Sequence, residues 1–206
     1  MMRLLLPGAW VRVLRCLALF LLAGMAQAVS AQDRSGREVA IPVAVRYVAT
    51  EANAPPGTCG CFWLQGGAVD AAVPLFRRLS AAVEVAGVTV SRVPASARGL
   101  SEITLLAGPR YAVPLRYGTL NAHALFGAVR GFDADFVAGP RRVDTSTNFA
   151  MALGGAFEVR LSRRLGLRVA EVDFLQTNLP NGAGDRQRSV RVGAGIVFHV
   201  PLPVAR

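Results

Sequence analysis

From about residue 38 onward, apolar side chains fall on every second position of the chain, and no segment carries a sustained helical stripe. Side chains of a β-strand alternate between two faces, so this spacing writes strands and excludes a helical bundle. The segment from Phe149 to Leu161 is the clearest case: Phe149, Met151, Leu153, Phe157, Val159 and Leu161 share one face, with Ala150, Ala152, Gly154, Ala156, Glu158 and Arg160 on the other. The same split recurs in Val39 to Thr50, Leu79 to Val90, Glu102 to Val113, Leu120 to Arg130 and Ser189 to Val200. With two less regular segments, Cys61 to Val73 and Leu167 to Leu175, the chain reads as all-β with eight strands.

Alternation alone fits a soluble barrel with its greasy face inward or a transmembrane barrel with its greasy face toward lipid. The residues opposite the bulky ones separate the two. They are mostly Ala, Gly and Ser with an occasional lone Glu or Arg, which suits a crowded lumen better than a solvated face. Composition agrees, since the chain is 52% apolar and only 17% charged, too apolar for disorder. The connections give a second discriminator. The gaps at 51–60, 91–101, 131–147 and 176–188 are long, those at 74–78, 114–119 and 162–166 are short, and the two kinds alternate. Outer-membrane barrels show this asymmetry between external loops and periplasmic turns.

Two places disturb the alternation. Gln65 and Asp70 have opposite parity within one strand, which predicts a bulge near Gly66 and Gly67. In Leu167 to Leu175, Glu171 and Asp173 share a face with each other and leave Arg168 on the greasy side.

The N-terminus reads as an address. Arg3, Arg12 and Arg15 precede the uncharged run Cys16 to Met25, and small residues follow at signal-peptidase spacing, so residues 1–31 are read as a signal peptide cut after Ala31. Residues 32–37 are then a linker, 38–200 the barrel and 201–206 a tail. The formal charge of +10 is carried entirely by arginine, and export argues against a nucleic-acid partner.

Near the C-terminus, Arg191, Gly193, Ile196 and Phe198 follow a polar, Gly, hydrophobic, aromatic pattern. Here the chain resembles the small OmpA/OmpX-like eight-stranded barrels of the Gram-negative outer membrane. The stretches Cys59 to Phe62, Ala107 to Tyr111, Leu125 to Gly127 and Gly195 to Phe198 are similar to those of uncharacterised outer-membrane β-barrel domains. The resemblance implies an up-and-down transmembrane barrel, outer-membrane lipid as surroundings, and a β-signal at Arg191 to Phe198 read by the barrel assembly machinery. In that family the aromatic is usually the last residue, whereas here His199 to Arg206 follow.

On the small-residue face the sequence puts Glu38, Arg46, Glu84, Arg110, His123, Glu158, Arg160, Glu171, Asp173 and Arg191, read as an ion-pair network filling the lumen rather than a pore lining. Cys59 and Cys61 are read as a local disulfide or redox-labile pair ahead of free thiols. Metal ligation would need further partners, and only His123 and His199 exist. His123 has no serine at the spacing expected on its own face, so neither catalysis nor a cofactor is expected. The expected role is structural or surface-interactive, through the four long loops. A narrow small-solute channel is the second reading, and a soluble periplasmic ligand-binding barrel the third.

Overall fold

A computed structural model describes residues 40–53, 61–93, 98–138, 141–181 and 184–201. The signal peptide, the linker, Glu38 and Val39 at the start of the expected barrel, Cys59, and all but the first residue of the tail lie outside them. The described residues form ten strands: β1 (Ala40–Asn53), β2 (Cys61–Phe76), β3 (Leu79–Val90), β4 (Leu100–Leu115), β5 (Gly118–Phe132), β6 (Phe136–Ala138), β7 (Arg141–Val143), β8 (Ser146–Arg160), β9 (Leu165–Thr177) and β10 (Gln187–Pro201).

Eight of them close into an antiparallel up-and-down barrel in the order β1-β10-β9-β8-β5-β4-β3-β2, with β1 returning to β2. Tight turns at Arg77–Arg78, Arg116–Tyr117 and Leu161–Arg164 join strands at one end, and long connections join them at the other. The remaining two strands, β6 and β7, form a short hairpin inside the connection from β5 to β8. Three-residue strands are too short for alternation to reveal, and the sequence gives 131–147 only as a loop.

The barrel is inside-out relative to a soluble protein. Val45, Tyr47, Trp63, Val69, Val85, Ile103, Phe126, Phe149, Leu153, Val172, Phe174 and Ile196 are all exposed on its outer surface, while Arg46, Glu84, Arg168 and Arg191 are buried. A soluble barrel needs the opposite arrangement, so that reading fails: a continuous apolar outer band belongs against lipid.

The expected bulge at Gly66 and Gly67 is absent, because β2 pairs with β1 and with β3 in unbroken register there. Gln65 simply points outward and accepts a 2.8 Å hydrogen bond from the Tyr47 hydroxyl on the neighbouring strand. The parity conflict is resolved in β9 instead. Glu158 pairs with Arg168 while Phe157 pairs with Ala170, and on the other side Gly195 pairs with Arg168 while Gly193 pairs with Glu171. One extra residue in β9 therefore leaves Val169 and Ala170 both outside and turns Arg168 inward. The expectation that Arg168 sits on the lipid face is corrected by this bulge, which removes a charge from a surface where it would cost about 2–4 kcal/mol at mid-membrane.

The buried side chains inside the barrel lie in two layers. Toward the long-loop end Val48, Phe62, Leu64, Leu106, Leu125, Val129, Phe136, Leu175 and Leu179 form one buried apolar cluster. Below it, toward the tight turns, lie the charged side chains.

Candidate functional site

Every barrel strand contributes to the charged layer. Arg46 comes from β1, Asp70 from β2, Glu84 from β3, Arg110 from β4, His123 from β5, Glu158 from β8, Arg168, Glu171 and Asp173 from β9, and Arg191 from β10. Four guanidiniums and one imidazole meet five carboxylates.

Arg168 lies at the hub and is completely buried. Its Nε donates to Glu158 at 2.8 Å, its Nη1 to Asp70 at 2.7 Å and to Glu171 at 2.6 Å, and its Nη2 to the second Asp70 oxygen at 3.3 Å. Arg46 donates to Glu171 and Glu84 and lies 3.2 Å from Asp70. Arg191 bridges Asp173 at 2.7 Å and Glu84 at 2.6 Å, and Arg110 reaches Asp70 at 2.7 Å. His123 Nε2 sits 2.8 Å from Asp173 Oδ1. The planar five-donor fork of arginine lets one side chain hold two or three carboxylates from different strands, which a lysine ammonium on its flexible stem does less well.

Backbone space is part of the design. A methyl group on Gly154 would overlap Asp173 Oδ1 and the Val172 backbone, and one on Gly195 would overlap the Val45 carbonyl and the Arg46 side chain. These glycines let β8 and β10 approach the charged residues of their neighbours.

Seven of the residues expected in the lumen network are joined here: Arg46, Glu84, Arg110, Glu158, Glu171, Asp173 and Arg191, with His123 hydrogen-bonded at its edge. Arg160 is not among them. It ends β8 at the tight-turn rim and is exposed, because the strand runs out of the barrel before its side chain can turn inward. Asp70 and Arg168 also belong to the network, beyond the residues that alternation assigns to it. The signal that finds them is charge itself, since neither could stay on a lipid-facing surface. Arg191 and Gly193 of the terminal motif point inward, whereas Ile196 and Phe198 face outward.

His123, Glu171 and Asp173 each offer a ligand atom within 4.8 Å of one another. Their oxygens are already committed: both Glu171 oxygens accept from Arg46 and Arg168, and those of Asp173 face His123 and Arg191. Three guanidiniums at contact distance make this a poor cation site. Cys61 is disulfide-bonded.

No family model matches this chain, and no curated protein does. Solved structures do. The chain is similar to Ail, the attachment invasion locus protein of Yersinia pestis, at TM-score 0.55 and 12% identity over 79% of this chain and 99% of that one. Neisserial surface protein A matches at TM-score 0.55 and 14% identity, over 77% and 96% respectively. Ail in complex with the heparin analogue sucrose octasulfate matches at TM-score 0.53 and 12% identity, over 79% and 99%. The fold is that of the small eight-stranded outer-membrane barrels. The exposed apolar band of this chain is consistent with that fold.

Proposed function

We propose that the protein is an outer-membrane scaffold whose side-chain-filled barrel displays its long loops for surface interaction. The observation that carries this reading is the two-layered lumen, in which a charged layer tied to all eight strands and an apolar cluster lie in series. A conducting pore needs a continuous polar path, and the apolar layer interrupts one. Among the described residues, His123 has no nucleophile partner: Nε2 is engaged with Asp173 and Nδ1 is buried without a hydrogen bond, which supports a non-enzymatic role.

The loop end is built for display. Arg98 pairs with Asp135 and with Asp144 at 2.9 Å, and Arg142 pairs with Asp135 at 3.4 Å, pinning the β6–β7 hairpin beside the β3–β4 loop. Asn181 caps its own loop, accepting from the amides of Gly184 and Asp185. Because Arg98 and Arg142 are paired with carboxylates, the sulfated ligand found on Ail is not transferred to this chain. Cys61 stands where β2 leaves the first long loop, and Cys59 is its proposed disulfide partner once the leader is removed. Arg191, Gly193, Ile196 and Phe198 are proposed as the signal for the assembly machinery.

The test is topological. With Asp144→Cys in the loop end and Arg163→Cys in a tight turn, a membrane-impermeant maleimide applied to intact cells should label the first and not the second. Labelling of Arg163→Cys alone would overturn the display of the loops.

A further inference from the structure

The two ends of the barrel carry different charge. At the loop end, exposed arginines are interspersed with the exposed acids Glu51, Asp133, Asp144 and Asp185. At the tight-turn end, Arg77, Arg78, Arg116, Arg160, Arg163 and Arg164 are all exposed, and among the described residues no exposed Asp or Glu accompanies them. Among the described residues the one carboxylate nearby, Glu158, is turned inward onto Arg168 at 2.6 Å.

These arginines start where the apolar band stops. Leu75 and Phe76, Leu115 and Tyr117, and Leu161 are exposed and flank them in sequence. The register shift between Pro74 and Phe76 turns both Leu75 and Phe76 outward. Two guanidiniums lie over the aromatic rings: Arg77 is 5.2 Å from the Phe76 centroid and Arg116 is 5.1 Å from that of Tyr117. Arg77 does so from a left-handed backbone, φ 46°, which glycine or asparagine adopts with less strain. An aromatic ring at the edge of an apolar band with a guanidinium above it sits at headgroup depth.

We infer that this rim binds the phosphates of anionic glycerophospholipids in the leaflet it faces, which by the placement of tight turns is the inner leaflet of the outer membrane. Six cationic groups, with no exposed acid beside them among the described residues, supply the complementarity, and their place against apolar side chains favours a lipid headgroup over a soluble acidic partner. The inference rests on the membrane reading above.

The probe is an equimolar mixture of phosphatidylglycerol and phosphatidylethanolamine, presented in micelles to the protein purified from membranes in nonionic detergent. Bound lipid is counted by native mass spectrometry. Wild type should retain phosphatidylglycerol over phosphatidylethanolamine by roughly threefold or more. The triple variants Arg77→Gln/Arg78→Gln/Arg116→Gln and Arg160→Gln/Arg163→Gln/Arg164→Gln should each lower that ratio toward one. The loop variant Arg98→Gln/Arg142→Gln/Arg188→Gln makes the same charge change and should keep it. Should a triple variant fail to fold, salt on the wild type reads the same attraction: a ratio unchanged from roughly 0.05 to 0.5 M NaCl overturns the inference. So does an equal ratio in wild type, a loop variant that loses the preference as fully, or rim-dependent retention of peptidoglycan fragments without lipid preference. A heat-modifiable, detergent-requiring barrel without preference refutes only the rim. A protein soluble without detergent refutes the membrane reading too.

Discussion

The two layers of the lumen do the same job by opposite means. The apolar layer fills space with Leu64, Leu106, Leu125 and Val129, whose mutual contacts are individually small and tolerate repacking. The charged layer ties every strand through a few directional bonds and tolerates little, because each guanidinium removed leaves buried carboxylates in excess over the cations that share them. Glu102 shows what the difference means. It lies at 6% exposure near the loop end, and it has no ion pair or hydrogen bond among the described residues, so it belongs to neither layer's logic. Closure of the barrel is thus specified by charge at one level and by volume at the other.

The comparison breaks first at Arg168. Arg168→Met should leave Glu158 without a partner among the described residues, leave Glu171 to Arg46 alone and Asp70 to Arg46 and Arg110, and destabilise the barrel by about 3–5 kcal/mol, measured by urea unfolding in lipid vesicles. Arg168→Lys should recover only part of that loss, since an ammonium cannot span the same three carboxylates. Leu106→Ala in the apolar layer should cost about 2–4 kcal/mol, and additively with a distant apolar truncation, whereas paired truncations within the charged layer should be strongly non-additive. Gly154→Ala should cost about 1–3 kcal/mol by displacing Asp173 from His123 and Arg191, again read from the unfolding midpoint. Smallest of all, Glu102→Gln should be neutral or stabilising by up to about 1 kcal/mol, because it removes a buried carboxylate that no described residue pairs.

Much of this architecture is legible in the sequence, and the exceptions have one cause. The facing of β1, β3, β4, β5, β8 and β10 follows from parity, since lipid and lumen impose opposite demands on neighbouring residues. Parity fails where a strand takes an extra residue. Both β2 and β9 contain a charge out of phase with its neighbours or with an outward glutamine, and the alternation of residues does not say which strand carries the bulge. The cost of charge in lipid does: Gln65 can remain outside by hydrogen-bonding Tyr47, whereas Arg168 cannot, so the bulge belongs to β9. Arg160 errs for a different reason, being in phase with the lumen yet at a depth where the lumen has ended. The β6–β7 hairpin leaves no periodic signal, as each of its strands has only three residues.

That the lumen is sealed is the central proposal, and planar-bilayer recording tests it. Wild-type protein inserted at high copy number should leave the membrane at its baseline conductance, and Arg168→Met should open it at most to brief, irregular events. Steady, reproducible unit conductance steps from the wild type would contradict the filled barrel and restore the small-solute channel.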